Sequence, residues 1–214
     1  MRHVVKVLLL MFVVALLAQP ALAGAEDKRF ALRFGLVLFE PTSSTNIEGT
    51  DVEFQTAFGP EVDFEWYILK RLGLEVSFAS AVDGDIETND QTDTTRLTGI
   101  TATPITVGVN AHIIRNSAVD FYIGLVGGTI RYGSYDISGG DGDFEATSDK
   151  IDSSSTFGAQ AAADINVGES WAVNIGLKYL DADATLEGVV DDSGRQVTID
   201  VNPLIFRVMG VFRF

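Results

Sequence analysis

The chain has no cysteine, which excludes disulfides and thiolate metal sites. It has two histidines, and only His112 lies beyond the N-terminal leader described below. No Ser-His-acid grouping and no phosphate-cradling glycine motif accompanies it, so catalysis has little to stand on. Basic residues are scarce. Fifteen Lys and Arg face 30 Asp and Glu, for a formal net charge of −15. That balance argues against nucleic acid, or anionic lipid, as a partner for the surface as a whole. Past the leader no apolar run approaches the length of a spanning helix, so membrane insertion would have to be by strands. Only helices and closed barrels satisfy their backbone hydrogen bonds in hydrocarbon.

What the chain does have begins at its N-terminus. Arg2, His3 and Lys6 precede an unbroken apolar run from Val7 to Ala18, and Ala21-Leu22-Ala23 supplies small residues at the cleavage spacing. The run is shorter than the about 20 residues a spanning helix needs. It reads as a secretory signal peptide over residues 1–23, the alternative being a retained anchor. The domain is then residues 24–214, and it is more acidic still once Arg2 and Lys6 are gone.

The other end points the same way. From Leu204 on, one parity holds Leu204, Phe206, Val208, Gly210, Phe212 and Phe214, and the other holds Arg207 and Arg213. Successive strand residues point to opposite faces, so one face meets something oily and the other something polar. Phe206, Val208, Phe212 and Phe214 have the pattern of an outer-membrane assembly signal, with the terminal aromatic in the interfacial girdle.

Seven more such segments precede it: Arg29 to Phe39, Pro60 to Lys70, Leu74 to Val82, Leu97 to Ile113, Val119 to Tyr132, Thr156 to Val167 and Trp171 to Leu180. The eighth runs from about Val197 to Phe214. Segments of about ten residues suit tilted transmembrane strands. Connections alternate between tight (Lys70 to Gly73, Arg115 to Ala118, Gly168 to Ser170) and long (Pro41 to Gly59, Asp83 to Arg96, Gly133 to Ser155, Asp181 to Gly194). Short periplasmic turns and long outer loops are the outer-membrane pattern. The expected fold is all-β, an eight-stranded antiparallel transmembrane β-barrel with both termini periplasmic, in the outer membrane of a Gram-negative bacterium. A soluble lipocalin-like barrel uses the same alternation with the faces reversed. The apolar stripe length, terminal Phe and strand-end aromatics Trp66, Trp171 and Tyr179 weigh against it.

The inward parity carries the candidate site. Arg33, Asp63, Glu65, Glu75, Asp120, Asp164, Lys178, Arg207 and Arg213 all fall there. Eight strands leave an interior just filled by side chains, and buried charges must pair, so these read as a charge plug. Toward the outer end the same parity turns apolar at Val37, Phe39, Val126, Ile130, Leu180 and Ile205. That tier is either ordinary packing or an oily pocket open above and closed below. His112, inside near the periplasmic end, reads as a hydrogen-bonding lumen residue. Gly124, Gly127 and Gly128 relieve crowding. The outer loops are rich in acids, either as a solvated surface or as divalent-cation bridges to lipopolysaccharide phosphates. Asp141 to Glu145 begins like a calcium loop, but Ala146 stands where Gly is required and Asp152 where Glu is.

Several segments together resemble the outer membrane protein W family: Gly35 to Pro41 with Ser43-Ser44 following, Phe121-Tyr122-Ile123-Gly124, Asp200-Val201-Asn202-Pro203, and Phe212-Arg213-Phe214. Small barrels of the outer membrane protein A and X type share several of these. The resemblance implies a monomeric eight-stranded barrel with an apolar lumen, proposed to help small hydrophobic molecules cross the outer membrane. No cofactor and no metal is expected. Expected partners are outer-membrane lipids and lipopolysaccharide, periplasmic chaperones and the barrel-assembly machinery, and small hydrophobic ligands. Three functions follow in order of support. They are passive uptake, a surface or membrane-integrity role through the acidic loops, and lipid-modifying catalysis.

Overall fold

Alternation with period two forces each segment into a strand with one apolar and one polar face, and eight such strands close into a barrel. The computed structural model describes residues 28–47, 50–54, 56–89, 94–133, 136–138, 151–190 and 196–214. Its strands are β1 (Phe30–Pro41), β2 (Ser44–Ile47), β3 (Thr50–Phe54), β4 (Ala57–Leu69), β5 (Leu72–Ala79), β6 (Ala81–Asn89), β7 (Thr94–Arg115), β8 (Val119–Tyr132), β9 (Asp136–Ser138), β10 (Ile151–Asp152), β11 (Ser154–Asn166), β12 (Trp171–Asp181), β13 (Asp183–Val190), β14 (Gln196–Asp200) and β15 (Pro203–Arg213). The wall runs β1-β15-β12-β11-β8-β7-β5-β4 and closes where β4 pairs with β1. Every pairing around it is antiparallel. Closure leaves no open edge in the wall.

The faces are those of a membrane barrel. Phe34, Leu36, Phe64, Val76, Val107, Leu125, Phe157 and Phe206 are exposed on the outside, while Arg33, Asp63, Glu65, Asp120, Asp164 and Arg207 are buried inside. A soluble lipocalin-like barrel would show the reverse. Near one end, the turn end, rings stack around the outer wall. Phe30 contacts Phe64 and Phe214 at 5.8 and 5.6 Å between centroids, and Phe212 contacts Phe214 and Trp171 at 5.8 and 4.9 Å. Phe214 also exchanges backbone hydrogen bonds with Phe30, which carries the closing seam through to that residue. Phe206, Val208 and Phe212 share its outward face, Val208 and Phe212 half-buried and Phe206 exposed.

At the opposite, hairpin end the strands continue past the barrel. The segments from Pro41 to Gly59, Asp83 to Arg96, Gly133 to Ser155 and Asp181 to Gly194, expected as long loops, carry β2, β3, part of β6, β9, β10 and β13 among their described residues. Loop propensity misjudged them because paired hairpins tolerate polar residues on both faces. The last expected strand is two, β14 and β15, broken at Val201 and Asn202. The break has a backbone cause. Pro41 and Pro203 face each other as the last pair of the β1–β15 seam, and neither has an N–H to extend it. Beyond them β10, β13 and β14 form a separate three-stranded sheet.

Asn202 holds this junction. It has φ 39°, a left-handed conformation that Asn adopts more readily than most residues. Its N–H and that of Val201 donate to Ala182 O, and its Oδ1 accepts from Ala182 N at 3.1 Å. Its Nδ2 donates to Ser43 Oγ at 3.0 Å, and its carbonyl accepts from Thr42 Oγ1 at 2.5 Å. Three chain segments are thereby tied at one residue. The segment expected to be a signal peptide, residues 1–23, and the calcium-loop-like stretch from Asp141 to Glu145 lie outside the described residues.

Candidate functional site: the lumen

Inward side chains from all eight strands meet in the lumen, and they change character along its length. At the top of the charged region Lys178 Nζ donates to Glu61 Oε1 and to Ser77 Oγ, both at 2.8 Å. Ser77 Oγ lies 2.6 Å from Thr106 Oγ1. Below, Arg207 donates to Asp63 Oδ2 at 2.9 Å and to the Tyr122 hydroxyl at 2.6 Å, with Glu75 Oε1 3.6 Å away. Arg33 donates to Glu65 at 2.6 Å and Asp164 at 3.1 Å and lies 3.5 Å from Glu75. Asn110 Nδ2 ties Glu65 to Glu75 at 2.8 and 2.9 Å, and Gln160 Nε2 donates to Glu75 and Asn110.

Nearest the turn end, His112 Nδ1 lies 2.6 Å from Asp120 Oδ1 and its Nε2 3.1 Å from Glu65 Oε1. Arg213 donates to Asp164 at 2.7 Å and to Asn166. Arg115 has its Nε 3.5 Å from Asp120 Oδ2, and its guanidinium sits 3.8 Å over the Tyr67 ring. Space for this network comes partly from glycine. A Cβ on Gly124 would stand 2.1 Å from Asn110 Oδ1, and one on Gly176 would stand 2.7 Å from Arg207 Nε.

Arg33, Asp63, Glu65, Glu75, Asp120, Asp164, Lys178 and Arg207 are thus all buried in one connected network of charge-assisted bonds. Sequence parity also placed Glu61 inside, two residues from Asp63, but did not mark it as a partner. Arg115 it missed. The segment was expected to end at Ile113, whereas β7 runs on through a register shift between His112 and Ile114. A bulge inserts one residue and reverses parity. Ile113 and Ile114 therefore both face outward, and Arg115 turns in. His112 bonds to Asp120 and Glu65, while its neighbour Asn110 bonds to Glu65 and Glu75. Among the described residues no group of three or more His, Asp or Glu is arranged to hold a metal ion.

Toward the hairpin end the inward face is apolar. Val37 and Phe39 come from β1, Val126 and Ile130 from β8, Leu180 from β12 and Ile205 from β15. All six are 3% exposed or less, so this tier is shut. Ala182, Ala184 and Val201, at the root of the β13–β14 hairpin, are buried as well.

An all-antiparallel eight-stranded wall, an apolar outside, a charged inside and an aromatic girdle make an outer-membrane barrel. The sequence profile described as the OmpW family matches residues 30–214.

The chain belongs to the OmpW family.

Solved structures agree on the fold. OprG from Pseudomonas aeruginosa superposes with a TM-score of 0.76 at 16% identity, over 91% of this chain and 99% of that one. AlkL in lipid bilayers gives 0.57 at 18% identity, over 92% and 94%. E. coli outer membrane protein W gives 0.53 at 18%, over 89% and 100%. A search of curated protein sequences finds no match. Family and fold place this OmpW-family chain in the outer membrane of Gram-negative bacteria, in a lipid environment.

Proposed function

We propose that this OmpW-family barrel is a passive conduit for small apolar molecules, with its hairpin end outside the cell and its turn end in the periplasm. The observation that carries the reading is the change in the inward face, from a connected charge network below to six apolar side chains above. An apolar tier over a charged floor accepts an oily molecule and stops ions. The floor does not open readily. Removing one partner of a buried ion pair costs about 3–5 kcal/mol, and here several pairs share partners.

The molecule therefore leaves sideways into the bilayer. It enters where the wall ends, at the Pro41–Pro203 pair and the Asn202 junction. The upper tier is closed in this conformation, so uptake requires the hairpin root to shift. No chemical step is assigned. His112 is committed to two carboxylates deep in the network, away from the apolar tier. The barrel acts as a monomer. It reaches the membrane through periplasmic chaperones and the assembly machinery, which read the outward face of β15. It then sits among phospholipid and lipopolysaccharide.

A second reading, a surface or membrane-integrity barrel without transport, is favoured by that same closure. Uptake of N-phenyl-1-naphthylamine by cells separates the two. Cells carrying the barrel should take up the probe several-fold faster than cells lacking it. Equal rates, with the barrel folded in the membrane, would leave the surface reading as the better account.

A further inference from the structure

The chain is strongly acidic, yet four of its cations gather at one place on the turn end. Lys28 and Arg29 lead into β1, and Lys70 and Arg71 form the β4–β5 turn. Arg115 holds the two segments together. Its Nη1 donates to Lys70 O at 2.8 Å and its Nη2 to Lys28 O at 3.0 Å. Two further bonds fix the same spot. Tyr67 N–H donates to Arg29 O at 2.8 Å, and His112 N–H to Arg71 O at 3.0 Å. Arg29, Lys70 and Arg71 are exposed and Lys28 is half-buried. Among the described residues none of the four forms an ion pair. Two exposed anionic groups are described at this end: Glu169, between β11 and β12 across the barrel, and the Phe214 carboxylate, which accepts from the Arg29 and Phe30 N–H groups at 3.2 and 3.1 Å and so is held on the backbone.

This cluster borders the lipid-facing girdle. Phe64, Trp66, Ile68 and Leu69 on β4 are exposed on the outer wall beside it, with Phe30 stacked on Phe64. Aromatic rings of this kind sit at headgroup level. Cations at that level attract anionic headgroups, with roughly fivefold local enrichment for each one engaged.

We propose that Lys28, Arg29, Lys70 and Arg71, with Trp66 and Phe64 beneath them, form a binding site for an anionic glycerophospholipid headgroup. The phosphate lies among the four cations, and the acyl chains run along the outer face of β1 and β4. The site goes beyond the uptake reading and does not depend on it. With the turn end periplasmic, the lipid belongs to the phospholipid leaflet of the outer membrane.

Two tryptophans make a test. Trp66 adjoins the cluster, while Trp171, on β12 three strands from β4 and two from β1, lies in the same girdle beside Phe212. The folded full-length barrel is placed in phosphatidylcholine bilayers holding a minority of phosphatidylglycerol with brominated acyl chains. Quenching is read from Trp171→Phe, which leaves Trp66, and from Trp66→Phe, which leaves Trp171. Brominated phosphatidylglycerol should quench Trp66 several-fold more than Trp171, whereas brominated phosphatidylcholine should quench them alike. High salt should remove the excess in the unaltered cluster. Lys28→Gln, Arg29→Gln, Lys70→Gln and Arg71→Gln together should remove it with heat-modifiable mobility retained. Equal quenching of the two tryptophans by the anionic lipid overturns the site. So does an excess that survives the fourfold change.

Discussion

Lys178 Nζ reaches Glu61 Oε1 at 2.8 Å although β12 and β4 are not neighbours in the wall. The bond spans the lumen and forms the upper rim of the charge network. Lys178→Met should strand Glu61, with a loss of about 3–5 kcal/mol. Thermal unfolding in one detergent should show this, and Lys178→Met with Glu61→Leu should recover much of it. A double variant no more stable than the single would mean that the pair is not an energetic unit.

The distinction between wall and lumen was legible because strand parity is set by backbone geometry alone. It put Arg33, Asp63 and Lys178 inside and Phe34, Phe64 and Leu177 outside without any knowledge of partners. Which charges meet was not legible. Parity gives a face but not a height, and strand tilt in a barrel decides that Arg33 reaches Asp164, 131 positions away. Arg115 was hidden by the bulge, which has no Gly or Pro to announce it. The β14–β15 break could have been read from Asn202-Pro203, since the residue before a proline is restricted and proline stops a ladder. The apolar alternation that continues after it masks the break.

Asn202 combines a left-handed backbone with a side chain bonded to two other segments. Asn202→Gly keeps the conformation and loses the bonds to Ala182 N and Ser43 Oγ. Asn202→Ala loses the bonds and strains the backbone as well, at about 1–3 kcal/mol. Hydrogen exchange of the Val201 amide should therefore accelerate in both, and more in the alanine variant. Equal exchange in all three proteins would remove Asn202 from its role as the tie.

Asp183 lies beyond the membrane-spanning wall, opposite Asp200 on β14. Its side chain is exposed, yet the slight desolvation of its carboxyl raises it above the ordinary aspartate value, and the charges of Asp200 and Asp181 raise it further. The folded state thus holds this proton more tightly than the unfolded chain. Its contribution to the β13–β14 pairing is present at low pH and lost as pH rises through the folded value. Protection factors at Val201 and Asn202, corrected for intrinsic exchange, should fall over the pH interval just above the ordinary aspartate range. Asp183→Asn should flatten that dependence. A dependence unchanged by Asp183→Asn would assign it to another group.

Phe214 pairs with Phe30 through the backbone and stacks on Phe30 and Phe212. Deleting it should slow closure of the β1–β15 seam and lower the amount of heat-modifiable barrel in the membrane, with degradation in the periplasm. Normal amounts of folded protein would show that the seam closes without it.

Leu180 offers the sharpest test of the apolar tier. It is fully buried and sits two residues from Lys178 on β12, between the charged floor and the hairpin root. Leu180→Ala removes buried methyl groups and should cost about 2–5 kcal/mol. In a conduit it also enlarges the path, so N-phenyl-1-naphthylamine uptake per folded barrel should hold or rise while stability falls. Leu180→Asp brings a carboxylate into the same place, and an unpaired charge there is costly to desolvate. It should stop uptake in the barrels that fold, because an apolar probe would have to displace the water or proton that satisfies the carboxylate. Val37→Asp, on β1, should act like Leu180→Asp. Stability and transport thus move apart in the alanine variant and together in the two aspartates. If all three variants change unfolding temperature and none changes uptake per folded barrel, the tier is packing alone and the acidic surface becomes the place to look for function.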